Sequence, residues 1–92
     1  MPTHPAKRSL RLLHLEDSEV DHEVVAALLA RDGRSLAVLR VDSEGAYRAA
    51  LEEDWDVVLS DYNLPGFSGL AALEILHGSG RLLPFVILSG EI

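Results

Sequence analysis

The sequence predicts an α/β domain: one parallel sheet with helices on both faces. Three observations carry that expectation. Apolar runs of strand length alternate with amphipathic helical patterns in the order β-α-β-α-β-α-β, which implies parallel strands joined by right-handed crossovers. The runs are mostly apolar, and Val57-Val58-Leu59 and Phe85-Val86-Ile87-Leu88 are apolar throughout, which suits strands buried on both faces. Two of them end on carboxylates, Glu16-Asp17 and Asp61, and open α/β sheets place their chemistry at the carboxyl ends of the strands.

Residues 1–9 hold two prolines and no periodicity, and read as a flexible lead-in to a domain over 10–92. The first strand covers about Leu10–Glu16. His14 lies inside it and reads as a packed histidine, since no partner histidine stands at ligand spacing. Ser18, with Asp21 three residues on, opens the first helix as an approximate capping box. Val20, Val24, Ala27 and Leu28 form its apolar stripe, with Val25 and Leu29 beside it. Glu19, Asp21, His22 and Glu23 crowd the helix start, where acidic residues favour the dipole, and His22 reads as part of a solvated face. Asp32-Gly33 ends this helix.

Leu36–Val41 is the second strand. Asp42-Ser43 starts the second helix, with Ala46, Tyr47, Ala50 and Leu51 facing inward and Gly45 weakening it by roughly 1 kcal/mol against Ala. Trp55 is expected to cover the bottom of the third strand. That strand, Val57 to Asp61, leads into a loop forced by Pro65, Gly66 and Gly69. The third helix spans about Ser68 to His77, with Leu70, Leu73, Leu76 and Ile75 inward. Pro84–Ser89 is the fourth strand, with Pro tolerated as its first residue.

A chain of 92 residues suits one small domain, and 48% hydrophobic residues are enough for a core. The net charge of -7 argues against a nucleic-acid-binding surface and fits an acidic cation site. With no cysteine, disulfides, thiolate chemistry and Cys-based zinc sites are excluded. No apolar run approaches the ~20 residues of a membrane helix, and the basic start lacks a signal-peptide h-region, so the expected location is cytoplasmic and no membrane partner is implied.

If the first and third strands are parallel neighbours, Glu16, Asp17 and Asp61 meet at one edge. Two such charges about 4 Å apart repel by roughly 4 kcal/mol at an effective dielectric near 20, so the cluster needs a cation. Hard oxygen donors with few other groups suit Mg²⁺. Alone, Asp61 reads equally as a turn residue; the upstream pair changes that.

The pair Glu16-Asp17, the strand-end Asp61 followed by Asn63, Leu64, Pro65 and Gly69, and Ser89 closing the last apolar strand resemble, in order and spacing, the receiver domain of two-component response regulators, chemotaxis regulators among them. The similarity covers roughly Arg11 to Ile92. It implies a flavodoxin-like doubly wound sheet of order 2-1-3-4, with the family's fifth strand missing. It implies that Asp61 is the phosphoacceptor, and that Asp17 binds Mg²⁺ directly, Glu16 mainly through water, and Asn63 through its main-chain carbonyl. Glu16 stands where the family more often has Asp. Ser89 would carry the switch, its hydroxyl donating to a phosphoryl oxygen only after transfer. The implied partners are a sensor histidine kinase or a histidine phosphotransfer protein, with an output domain or protein downstream. The expected activity is phosphoacceptance with at most self-phosphorylation and autodephosphorylation, not enzymatic turnover.

The family's fourth helix, fifth strand with its phosphoryl-neutralising Lys, and fifth helix would follow Ile92, and Lys7 cannot replace that Lys. The chain is therefore expected to join a second copy as a homodimer through the edge at Phe85–Ser89. Two other readings compete. One is a receiver-like interaction module that is not phosphorylated; the missing Lys favours it and the intact acidic triad opposes it. The other is a haloacid-dehalogenase-like phosphatase, whose second Asp would fall where this chain has Asn63, and which leaves Glu16-Asp17 unexplained.

Overall fold

Side chains of a strand alternate between the two faces of a sheet, so the parity of each apolar run decides what it packs against. In the computed structural model, which describes residues 9–33, 35–64 and 66–88, the strands are β1 (Leu10–Leu15), β2 (Leu36–Val41), β3 (Val57–Asp61), the short pair β4 (Asn63–Leu64) and β5 (Phe67–Ser68), and β6 (Phe85–Leu88). The main sheet is parallel and runs β2-β1-β3-β6, the expected order with β6 as its fourth strand. The helices are α1 (Glu19–Leu29), α2 (Glu44–Ala50) and α3 (Gly69–Gly78). The expected lead-in, apart from Ser9, and Ser89 with the residues after it lie outside the described residues.

Leu13, Leu15, Val41 and Val58 share one face and pack against Tyr47, Ala50 and Leu51 of α2 and its cap and against Ala72 and Leu76 of α3. The buried Tyr47 hydroxyl donates to the Ala72 carbonyl at 2.9 Å, which joins the two helices. Burial raises its pKa to about 12. Trp55 closes the lower end as expected: its indole N–H donates to the Ala50 carbonyl at 2.7 Å, and the Arg11 guanidinium lies 4.7 Å from its ring centre. The acidic run after α2 is met by arginines from other elements, Glu53 by Arg11 at 3.4 Å and Asp54 by Arg81 at 3.6 Å.

The opposite face carries Leu12, His14 and Leu59 under α1. The Ser18 hydroxyl accepts the Asp21 N–H at 3.1 Å, as the capping box predicts. The return bond differs, because the Ser18 N–H donates to the Glu16 carboxylate at 3.2 Å. After Leu29 the chain tightens into a 3-10 turn, Ala30–Asp32, and leaves through Gly33 in the left-handed region at φ 82°. Among the described residues no helix is long and apolar enough to cross a membrane.

Two helix faces depart from expectation. The α1 stripe turns outward, with Val20 67%, Val24 54% and Leu28 57% exposed. The half-buried positions are instead His22, Val25 and Ala26, and His22 meets His14 of β1. Apolar residues wrap more than half of this helix, so periodicity alone does not choose the inward side. In α3 the buried residues are Gly69, Ala72 and Leu76, while Leu70 is 50% exposed. The small pair lets the helix approach the sheet closely and rotates Leu70 off the contact.

Candidate functional site

Adjacent parallel strands in register bring their ends together. Leu15 pairs with Ser60, so the residues that follow, Glu16 and Asp61, leave the sheet side by side. One carboxylate oxygen from each of Glu16, Asp17 and Asp61 lies within 4.8 Å of the other two. All three metal-site carboxylates predicted from the sequence are thus brought together. Glu16 is buried, Asp61 half-buried and Asp17 exposed, so the cluster opens to solvent through Asp17. Burial pushes the Glu16 pKa above its ordinary value; the charges of Asp61 and Asp21 and a hydrogen bond with Asp17 push the same way, against the Ser18 N–H.

The segment after Asp61 is more ordered than a plain loop. Tyr62 donates its N–H to the Leu88 carbonyl at 2.9 Å, which ties the exit of β3 to β6. Asn63 then pairs with Ser68 and Leu64 with Phe67 in a two-stranded hairpin that turns through Gly66 at φ 68°. This hairpin holds the Asn63 backbone two residues beyond Asp61 and returns the chain so that Gly69 donates to the Tyr62 carbonyl at 2.9 Å. Helix α3 starts there, capped by the Ser68 hydroxyl, which accepts the Ala71 N–H at 3.0 Å. The Asn63 side chain is exposed. Ser89, the expected switch hydroxyl, lies outside the described residues.

Two features were not anticipated. The Nδ1 atoms of His14 and His22 approach to 2.8 Å, so His14 does have a histidine partner and His22 is not on a solvated face. The available signal was a histidine inside a strand and another in the first turn of the helix that covers it. Arg40 donates to the main-chain carbonyl of Glu16 at 3.1 Å, directly behind the acidic pair. Among the described residues the donors clustered at the strand ends are three carboxylates, hard oxygen ligands of the kind that suit Mg²⁺.

No family model matches the chain. The sensory/regulatory protein RpfC of Xanthomonas campestris pv. campestris is 34% identical over 89 residues, which are 92% of this chain and 12% of that protein. The chain therefore spans a small part of this relative. A solved response regulator receiver domain from Methylobacillus flagellatus, described as CheY-like, superposes with a TM-score of 0.77 at 29% identity, covering 91% of this chain and 72% of that one. A chain in the co-crystal structure of the Saccharomyces cerevisiae histidine phosphotransfer protein Ypd1 and the receiver domain of Ssk1 shares the fold, with a TM-score of 0.62 at 19% identity over 92% of this chain and 65% of that one.

Proposed function

This chain belongs to the receiver domains of response regulators, and we propose that it accepts a phosphoryl group on Asp61 from a phosphohistidine of a sensor histidine kinase or histidine phosphotransfer protein. The observation that carries this reading is the convergence of the Glu16, Asp17 and Asp61 carboxylates at the ends of two adjacent parallel strands. An Asp61 carboxylate oxygen attacks phosphorus, and the P–N bond to the donor imidazole breaks. The ring nitrogen keeps that electron pair and takes a proton from solvent, and an acyl phosphate remains on Asp61. Glu16, Asp17, Asp61 and the main-chain carbonyl of Asn63 would hold Mg²⁺. When bound, it supplies charge neutralisation for both the carboxylates and the phosphoryl oxygens.

Chemistry of this kind depends on positioning, and the protein supplies it through the paired strand ends and the hairpin behind Asp61. Leu88 of β6 is the register partner of Asp61, which supports assigning the switch hydroxyl to Ser89. The domain acts as a phosphoacceptor with its own slow dephosphorylation, in the cytoplasm, upstream of an output domain or protein. The outward apolar stripe Val20, Val24 and Leu28 begins within a turn of Asp17, and supports docking of the phosphodonor's helix along α1.

The test is phosphorylation of the intact protein by a small-molecule phosphodonor with Mg²⁺. A stoichiometric, alkali-labile label that disappears in Asp61→Asn is expected. An Asp61→Asn protein that labels like wild type refutes the assignment, and sustained turnover of phosphomonoesters would favour a phosphatase instead.

A further inference from the structure

Arg40 is the penultimate residue of β2 and the register partner of His14, so its side chain lies on the α1 face of the sheet. There it reaches three residues. Its Nη1 donates to the main-chain carbonyl of Glu16 at 3.1 Å and lies 3.7 Å from the Asp42 carboxylate, and its Nη2 donates to the Glu19 carboxylate at 3.4 Å. The side chain is 24% exposed, so the contact with Glu16 is largely sheltered from water.

We propose that Arg40 is a positioning residue for the cation site, setting the direction in which Asp17 leaves the sheet by holding the Glu16 carbonyl. The inference rests on the Mg²⁺ reading of the acidic cluster. A peptide unit is planar, so fixing the Glu16 carbonyl fixes the Asp17 nitrogen and Cα as well. The rest of Glu16 is already pinned: its N–H donates to the Val41 carbonyl at 3.0 Å, and its carboxylate accepts the Ser18 N–H at 3.2 Å. Arg40 adds a side-chain anchor at the carbonyl, the point from which Asp17 springs. The positive charge of Arg40 by itself would oppose cation binding. Glu19 and Asp42 offset that charge locally, which leaves geometry as its main contribution. A lysine keeps the charge but cannot fork between the Glu16 carbonyl and the Glu19 carboxylate.

The experiment measures Mg²⁺ affinity calorimetrically for wild type, Arg40→Lys, Arg40→Met and Arg11→Met, with urea unfolding of each. Arg11 makes a comparable ion pair to Glu53 at the other end of β1, so its removal controls for a general loss of stability. Both Arg40 variants are expected to bind Mg²⁺ roughly tenfold more weakly, in the range seen when the outer hydrogen-bonding partners of metal ligands are lost. Arg11→Met should bind as wild type does. Without metal, the amides of Asp17 and Ser18 should exchange faster in both Arg40 variants only. An Arg40→Lys protein with wild-type affinity, or an Arg40→Met protein that binds more tightly, overturns the assignment while leaving the cation site intact. Wild-type protein that binds no Mg²⁺ overturns the site reading and the inference together.

Discussion

The Nδ1 atoms of His14 and His22 stand 2.8 Å apart, with 5.0 Å between ring centres, so one imidazole hydrogen bond joins β1 to α1 beneath the acidic loop. Such a bond needs one ring N–H and one bare ring nitrogen, and at least one of the two rings must be neutral. Burial, followed by the facing His22 and Arg40, pulls the His14 pKa down to about 4.

That shift makes stability depend on pH in a defined window. Unfolded His14 titrates near 6.5. Above this value neither state binds a proton. Between about 6.5 and about 4 only the unfolded state does, so stability is lost as pH falls and the loss levels off below about 4. The total is roughly 3 kcal/mol. Urea midpoints measured from pH 7.5 to 4 should fall more steeply for wild type than for His14→Gln; parallel curves would remove His14 as the cause.

Glu16 titrates with the opposite sign. Its raised pKa, caused first by burial, means that its contribution to metal-free stability is present at low pH and lost as pH rises through the folded value. Cation binding needs the ionised form, so Mg²⁺ affinity should fall as pH drops through that raised value. Titrations at several pH values should show this fall in wild type and displace it toward lower pH in Glu16→Gln. Asp17→Asn should weaken binding throughout, and an unchanged affinity would take Asp17 out of the site.

The exposed face of α1 can be separated from the chemistry of Asp61. Val24 is 54% exposed and lies on α1, outside the cluster of three carboxylates. Val24→Asp should leave labelling by a small-molecule phosphodonor within twofold of wild type and slow transfer from a phosphohistidine protein by tenfold or more. Equal losses with both donors would place Val24 in the fold rather than at the docking surface.

The sheet was legible because each main strand is a mostly apolar run bounded by polar or glycine-rich segments, and the acidic triad because adjacent parallel strands in register end side by side. What escaped the sequence depends on rotation and on long-range contact. Val20 and Val25 are equally apolar, and only the long-range contact of His22 with His14 of β1 decides which one faces water. The hairpin of Asn63-Leu64 with Phe67-Ser68 carries too few residues for any periodic signal. Arg40 lies 24 positions from Glu16, at a strand end where an arginine ordinarily points to solvent.

Gly69 tests how tightly the strand that ends on Asp61 is held. A Cβ there would lie 2.9 Å from the main-chain oxygen of Asp61 and 3.3 Å from the Ser60 hydroxyl. Its φ is not among the positive ones, so the requirement is for space and not for a special conformation. In an unconstrained helix Ala would be favoured over Gly by about 1 kcal/mol. The obstacle here is backbone: the Asp61 carbonyl also accepts the Ser60 hydroxyl at 2.8 Å, and β3 lies between β1 and β6, so neither side can yield cheaply. Gly69→Ala is therefore expected to destabilise by about 1–3 kcal/mol, the usual cost of an overpacked contact. Because the displaced atom belongs to Asp61, Mg²⁺ affinity should fall with it. Urea unfolding and Mg²⁺ titration of this variant decide the matter: a protein as stable as wild type, with unchanged affinity, would show that helix α3 does not brace Asp61.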